Sequence, residues 1–227
     1  MTPTLLDEND LKGYSKKQRL QLVNALPGIR PAVLVGTLNS RARAVSTGNG
    51  LTADNSNLAV FSSLVHLGSD PALFAIFIRP EVNPKTPDEK FERQTLDNIR
   101  KHRCFTISQI PLGDVEAAHR CSAPYKRHQS EFVKADLPCV FLDDFRAPFV
   151  ESSPLSFGLQ LVREYRLDEN GVTMVIGELK RVRMLEDFDK NEDHLLHPEH
   201  IGTAGVFGLG SYCRVQEIAK LPKATLE

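Results

Sequence analysis

The feature that most constrains this chain is a pair of long apolar stretches joined by one short turn. Leu155, Phe157, Leu159, Leu161, Tyr165 and Leu167 alternate with Ser156, Gly158, Gln160, Glu164 and Arg166. Alternate residues of a strand point to opposite faces, so the pattern predicts a half-buried strand. Asp168-Glu169-Asn170-Gly171 then reads as a turn, and Val172 to Met184 returns as a second long strand. A four-residue connection containing Asn-Gly is a common hairpin length. Together with four earlier strand candidates, this hairpin fits a closed or split antiparallel barrel better than a parallel α/β sheet. There is no βαβ alternation and no GxGxxG, so a Rossmann cofactor fold is not supported. The expected class is mainly β with short peripheral helices.

A second pair of apolar runs, Leu58 to Leu67 and Ala72 to Ile78, flanks the turn formers Gly68-Ser69-Asp70-Pro71 and reads as two adjacent strands. Ser62 and Ser63 sit side by side in the first run, so one hydroxyl should face each side. A bulge at a sheet edge accounts for such a pair. So does a ligand site, with hydroxyls and backbone N–H groups facing a phosphate. Ala32 to Thr37 is a further strand, as is Cys104 to Ile110, and Phe149-Val150 begins another near the break at Pro154.

Helices are few. Ser15 opens a short one whose apolar positions Leu20, Val23 and Leu26 recur at spacing three, and Pro27-Gly28 stops it. Thr86-Pro87-Asp88-Glu89 has the form of a capped helix start, and Phe91, Thr95 and Ile99 recur every four residues with Leu96 alongside. Thr95 puts a hydroxyl on the inner face, where it bonds back to the preceding turn or contacts a ligand. Gly113 to Arg120 and Ser130 to Ala135 read as helical turns. Ser40 to Asn55 is polar and reads as a loop, from which Arg41 and Arg43 could reach an anion.

Composition narrows the function. The 227 residues amount to one domain, read as 1–227 with an N-terminal helical extension at 1–29 and a C-terminal extension at 185–227. A net charge of −1 with 25% charged residues gives no electrostatic footprint for nucleic acid or membrane surface. Fourteen Pro and fourteen Gly argue for many turns. Cys104, Cys121, Cys139 and Cys213 show no CxxC spacing and read as reduced, partly buried thiols. With neither a signal-peptide pattern nor a long apolar run, the expected compartment is the cytoplasm. His194, His197 and His200 recur at spacing three. Six helical residues turn through about 600°, which sends the outer two in different directions, and Pro198 interrupts a helix. No metal site is therefore expected. Gly202 to Tyr212 is Gly-rich but lacks the strand-before, helix-after context and the Lys of a phosphate loop.

Several segments carry a resemblance. Asn57-Leu-Ala-Val-Phe-Ser-Ser63, Leu67-Gly-Ser-Asp-Pro71, Ile78-Arg-Pro80 and Thr95-Leu-Asp-Asn-Ile99 resemble, in order and spacing, the flavin reductase-like family of FMN-binding split barrels, relatives of flavoredoxin. Ala118-His119, Ser122-Ala-Pro-Tyr125, Ser130-Glu-Phe132 and Phe149-Val-Glu-Ser-Ser-Pro154 extend it over roughly residues 30 to 180. The resemblance implies that Asn57, Phe61, Ser62 and Ser63 line the ribityl chain and ring edge of FMN, and that Arg79, Thr95 and Asn98 approach its phosphate. It also implies a homodimer with FMN near the subunit boundary and the Gly202–Tyr212 loop close to it. An independent reason for a dimer is that Val172 to Leu179 is apolar on both faces. Val172, Met174 and Ile176 form one face. Val175 and Leu179 form the other, and this second face is to be covered by helices of its own chain or by a partner; the helices are few and short, so the partner is expected. The implied activity is FMN-dependent reduction of flavin or another small acceptor with NAD(P)H as donor. The alternative is a non-catalytic FMN electron carrier. The chain departs from the reductases at the long hairpin turn, where Asp168-Glu-Asn-Gly171 replaces a Gly-Asp-His associated with nicotinamide, so NAD(P)H use stays open. A flavin supplies its own redox chemistry, which agrees with the lack of a catalytic triad or carboxylate pair.

Overall fold

The long hairpin forms where the alternation places it, and the rest of the sheet is assembled on both sides of it. The computed structural model describes residues 4–39, 51–83, 86–185 and 201–225. Arg41, Arg43, His194, His197 and His200 lie outside the described residues. The N-terminal part carries α1 (Glu8–Gly13), α2 (Lys16–Ala25), β1 (Arg30–Pro31), β2 (Val33–Leu38), β3 (Ser56–Phe61), β4 (Val65–Ser69) and β5 (Ala72–Ile78). The middle carries β6 (Val82–Asn83), β7 (Thr86–Lys90), α3 (Gln94–His102), β8 (Cys104–Gln109), α4 (Val115–Arg120) and α5 (Glu131–Lys134). Then come β9 (Cys139–Leu142), β10 (Phe145–Val150), the hairpin strands β11 (Leu155–Arg166) and β12 (Thr173–Met184), β13 (Ala204–Phe207) and β14 (Ser211–Arg214). No helix among the described residues is long and apolar enough to cross a membrane.

Seven strands form the main sheet in the order β3-β2-β8-β11-β12-β5-β4, every neighbouring pair antiparallel. The two edge strands, β3 and β4, are consecutive in the chain and separated only by Ser62-Ser63-Leu64. So short a link spans little more than 10 Å, so the two edges must meet. The sheet therefore curls into a barrel whose seam lies at those three residues. The apolar run Leu58–Leu67, expected as one strand, is two strands: its hydrogen-bonding partner changes from β2 to β5 at the Ser pair.

Inside the barrel, Val33 and Val35 meet Ile76, Ile78, Phe105, Ile107, Phe157, Leu159, Leu161 and Val175, with Leu96 and Ile99 of α3 packed among them. A second core lies outside the barrel wall, where Leu34 and Leu58 pack with Ala118, Phe132, Leu137 and Val150. Ala204 and Val206 of the β13–β14 hairpin join this second core. β2 is thus buried along its whole length because its two faces serve two cores. β10 crosses over the outer faces of β2 and β8. That crossing requires Gly36, where a Cβ would stand 2.4 Å from Pro148 O and 2.5 Å from Thr106 Oγ1.

Several expectations need correction. β11 is not half-buried. Ser156 and Gly158, on its outer face, are covered by β10, and beyond a register shift at Leu161–Arg163 both faces are exposed. Tyr165 lies there, 44% exposed, under the Arg163 guanidinium. Phe149-Val150 ends β10 instead of beginning a strand. Thr86 does not cap a helix. Residues 86–90 pair with β6, and the helix starts at Gln94. Gly202–Tyr212 is no open loop: β13 and β14 pair through its turn, and β13 also pairs with β1. On β12 it is Thr173, Val175 and Gly177 that point into the barrel, while Met174 and Ile176 are left half-buried outside. The face awaiting cover is therefore the Met174–Ile176 face, not that of Val175. Ser15 does cap α2 in a full capping box, but Leu20, Val23 and Leu26 are exposed and α2 buries no residue.

Candidate functional site

At the seam a cleft of about 600 Å³ opens between the ends of β3 and β5, the start of α3 and the turn that follows α4. Closing a barrel across a three-residue link leaves backbone ends splayed at the join, and polar side chains satisfy them. The Ser63 hydroxyl donates to Phe77 O and accepts from Phe77 N, each at 3.1 Å. Ser63 thus stands in for a missing ladder partner of β5. Ser62, Phe61, Ala59 and Asn57 form the adjoining wall. Asn57 is 4% exposed and its Nδ2 donates to Thr95 Oγ1 at 3.5 Å, joining β3 to the first turn of α3.

One end of the cleft is cationic. Arg79 follows β5 and is exposed, and Arg93 directly precedes α3. Arg93 Nε donates to Pro80 O at 2.9 Å, and its guanidinium lies 5.1 Å from the Phe91 ring centroid, which fixes its direction. Burial, and then the neighbouring Arg79 charge, depress the Arg93 pKa against the opposing pull of Glu81. Two guanidinium groups held this close favour an anion between them. The nine-residue α3 has no side-chain cap, and its first two residues, Gln94 and Thr95, line the cleft. Its unpaired N–H groups and its dipole add to the positive end. The acids nearby are engaged: Arg127 pairs with Glu92 and, at 2.6 Å, with Asp97.

The opposite wall is the turn from Cys121 to Tyr125 together with Glu131. Gln94 Nε2 donates to Tyr125 O at 2.9 Å, which ties this turn to α3. Burial pushes the Cys121 thiol up to about 12, with the Glu131 carboxylate adding to the shift, so the thiol is protonated at neutral pH. Glu131 is 6% exposed; its Oε2 accepts from Leu58 N at 3.0 Å, and burial raises its pKa. From α2, Asn24 reaches the cleft mouth.

Of the residues singled out from sequence, Asn57, Phe61, Ser62, Ser63, Arg79 and Thr95 converge on this cleft. Asn98 does not line it. It is 1% exposed and its Nδ2 donates to Thr37 Oγ1 at 2.9 Å, fastening α3 to β2. Sequence reasoning missed Arg93, Gln94 and Glu131. Arg93 carried no signal beyond that of any surface arginine, whereas Ser130-Glu-Phe132 and Ser122-Ala-Pro-Tyr125 were visible as motifs without a role. No cluster of metal-ligating side chains occurs among the described residues.

With this geometry in view, the chain compares closely with known proteins. The flavin reductase like domain matches residues 30–205. A structure from Shewanella frigidimarina, assigned as a flavin reductase with a split barrel domain, is 30% identical and superposes with a TM-score of 0.81 over 98% of this chain and 100% of that one. Nitrilotriacetate monooxygenase component B from Bacillus cereus shares 17% identity and a TM-score of 0.76, over 97% of this chain and 100% of its own. The flavoredoxin of Desulfovibrio vulgaris shares 21% identity and a TM-score of 0.65, covering 87% of this chain and 91% of its own. Among curated proteins none matches the sequence at a significant level.

Proposed function

This chain belongs to the flavin reductase-like family and has its split-barrel fold, and we propose that it is an FMN-dependent oxidoreductase that holds the flavin in the seam cleft. The observation that carries the reading is the polarity of that cleft. Arg79, Arg93 and the uncapped start of α3 make one anion-seeking end, beside walls of Asn57, Phe61, Ser62 and the Cys121–Tyr125 turn. A volume of about 600 Å³ lies within the usual range for small-molecule and cofactor sites. Bound FMN would supply the hydride and electron transfer itself. The residues hold and orient it: Arg79 and Arg93 take the phosphate, Thr95 and Asn57 the neighbouring hydroxyls, and Phe61 the ring edge.

NAD(P)H is the proposed electron donor and a free flavin or other small molecule the acceptor. The carrier reading differs in one measurable respect. An enzyme oxidises NAD(P)H steadily when free flavin is added, and a carrier does not. The binding claim is tested first, by titrating FMN and following flavin absorbance and fluorescence. Saturable binding supports it, and no binding at millimolar FMN ends it.

The proposed assembly is a homodimer. Its support is the half-buried Met174–Ile176 face of β12 together with exposed Val65 and Leu67 on neighbouring β4, apolar residues that a second copy would cover. Light scattering should give twice the 25.3 kDa of one chain. A mass of one chain at micromolar concentration with FMN bound overturns it.

A further inference from the structure

Glu131 is a carboxyl of the cleft wall to which the proposed flavin site assigns no role. It is nine-tenths buried, and its Oε2 accepts from Leu58 N on the outer edge of β3. The carboxyl also accepts from its own backbone N–H. No salt bridge to it occurs among the described residues. This contrasts with Glu92, the other carboxylate of the cleft, which Arg127 holds. Two N–H donors and a narrow contact with water in the cleft are what support the Glu131 anion.

Among the described residues, the groups around it do not supply a cation. From β3 come Ser56 and Asn57, neither titratable. The short 3-10 turn before β3 carries Asp54. The turn after α4 contributes the Cys121 thiol and Tyr125, and Arg120, one residue earlier, donates to Ala135 O at the far end of α5. An anion that loses its last water without gaining a cation is destabilised strongly.

We propose that Glu131 couples occupancy of the cleft to uptake of one proton. A flavin that fills the cleft displaces the water touching this carboxylate, and the group responds by binding H⁺ from solvent to become the neutral acid. The neutral acid still accepts from Leu58 N, so the β3 edge keeps its partner, and it gains an O–H that can be donated into the cleft. The inference rests on the flavin reading of the site and adds to it a thermodynamic link with pH. The direction follows from the linkage. The occupied form holds the proton more tightly, so affinity is highest in acid. It falls as pH rises past the titration of Glu131 in the empty protein, by up to tenfold per pH unit, and levels off above the titration of the occupied form.

The experiment is calorimetric titration of the full-length protein with riboflavin, which lacks the titrating phosphate, in two buffers of different ionisation enthalpy across pH 5 to 8. Wild type should take up a substantial fraction of a proton per riboflavin bound. Glu131→Gln keeps an acceptor for Leu58 N and should bind with no uptake and no pH dependence. If that variant does not fold, an infrared difference spectrum of wild type should show a protonated-carboxyl band appearing on binding. Binding without proton uptake in wild type, or equal uptake in the Gln variant, overturns the proposal and leaves the flavin reading standing. Absence of any binding, to riboflavin and FMN alike, overturns both.

Discussion

Ser63→Ala should unfold the seam more than it empties the cleft. The hydroxyl makes two hydrogen bonds with the backbone of Phe77, both at 3.1 Å. Each is worth about 0.5–1.5 kcal/mol net, and truncation also strands an N–H and a C=O. Phe77 lines the cleft, so water can reach those groups and the full penalty for a dry orphan does not apply. The loss should therefore be about 2 kcal/mol. For a chain of this size that lowers the melting temperature by about 4–8 °C. Ser62→Ala, one residue away and on the cleft wall, should stay within about 0.5 kcal/mol of wild type, as surface substitutions do. Urea unfolding of the flavin-free protein compares the three, read at unchanged m-value so that the shift reports stability. Equal stability of Ser63→Ala and wild type, or equal losses for the two serines, would refute the claim that Ser63 serves as the ladder partner of β5.

Arg79→Ala should weaken FMN by roughly one to two decades while sparing riboflavin, the loss of a charge-assisted bond being about 1.5–3 kcal/mol. Equal losses for both ligands would show that Arg79 does not see the phosphate. Gly36→Ala should destabilise by about 1–3 kcal/mol or more, because its Cβ would press into Pro148 O and push β10 off the barrel; chemical denaturation decides it. With its thiol pushed up to about 12, native Cys121 should resist alkylation at pH 8 and react only on unfolding, as peptide mapping of the labelled protein would read.

Much of this fold is legible wherever a signal is local and its partner adjacent. The β11–β12 hairpin announces itself through alternation and Asn-Gly, and the helix opened by Ser15 through its spaced apolar residues and the Pro27-Gly28 stop. The errors share a cause: a distant partner decides the outcome. An apolar run does not reveal that its hydrogen bonds pass from β2 to β5 halfway along, so 58–67 looked continuous. Thr86-Pro-Asp-Glu has every feature of a helix cap, yet pairing with β6 takes it, while the real start at Gln94 has no side-chain cap to read. Of the site, Ser62, Ser63 and Thr95 are visible as polar residues inside apolar patterns, whereas Asn57 enters only through the family resemblance. Asn98 also enters only through the family resemblance, and its amide turns to Thr37 instead of the cleft: a buried amide facing a neighbouring strand has the same sequence signature as one facing a ligand. Arg93 and Glu131 matter through where the chain brings them, which no spacing encodes.

The seam also dictates when the molecule can become itself during synthesis. β5 finds one neighbour, β4, at once, but its other neighbour is β12, residues 73–78 waiting for 173–178. Until the ribosome has released the second hairpin, β5 and β8 each present an unpaired edge, the kind of template on which chains associate. Long-range pairing of this sort also slows folding. A chain interrupted before Thr173 therefore cannot close, and its early strands, correct in themselves, would be an aggregating fragment instead of a smaller working protein.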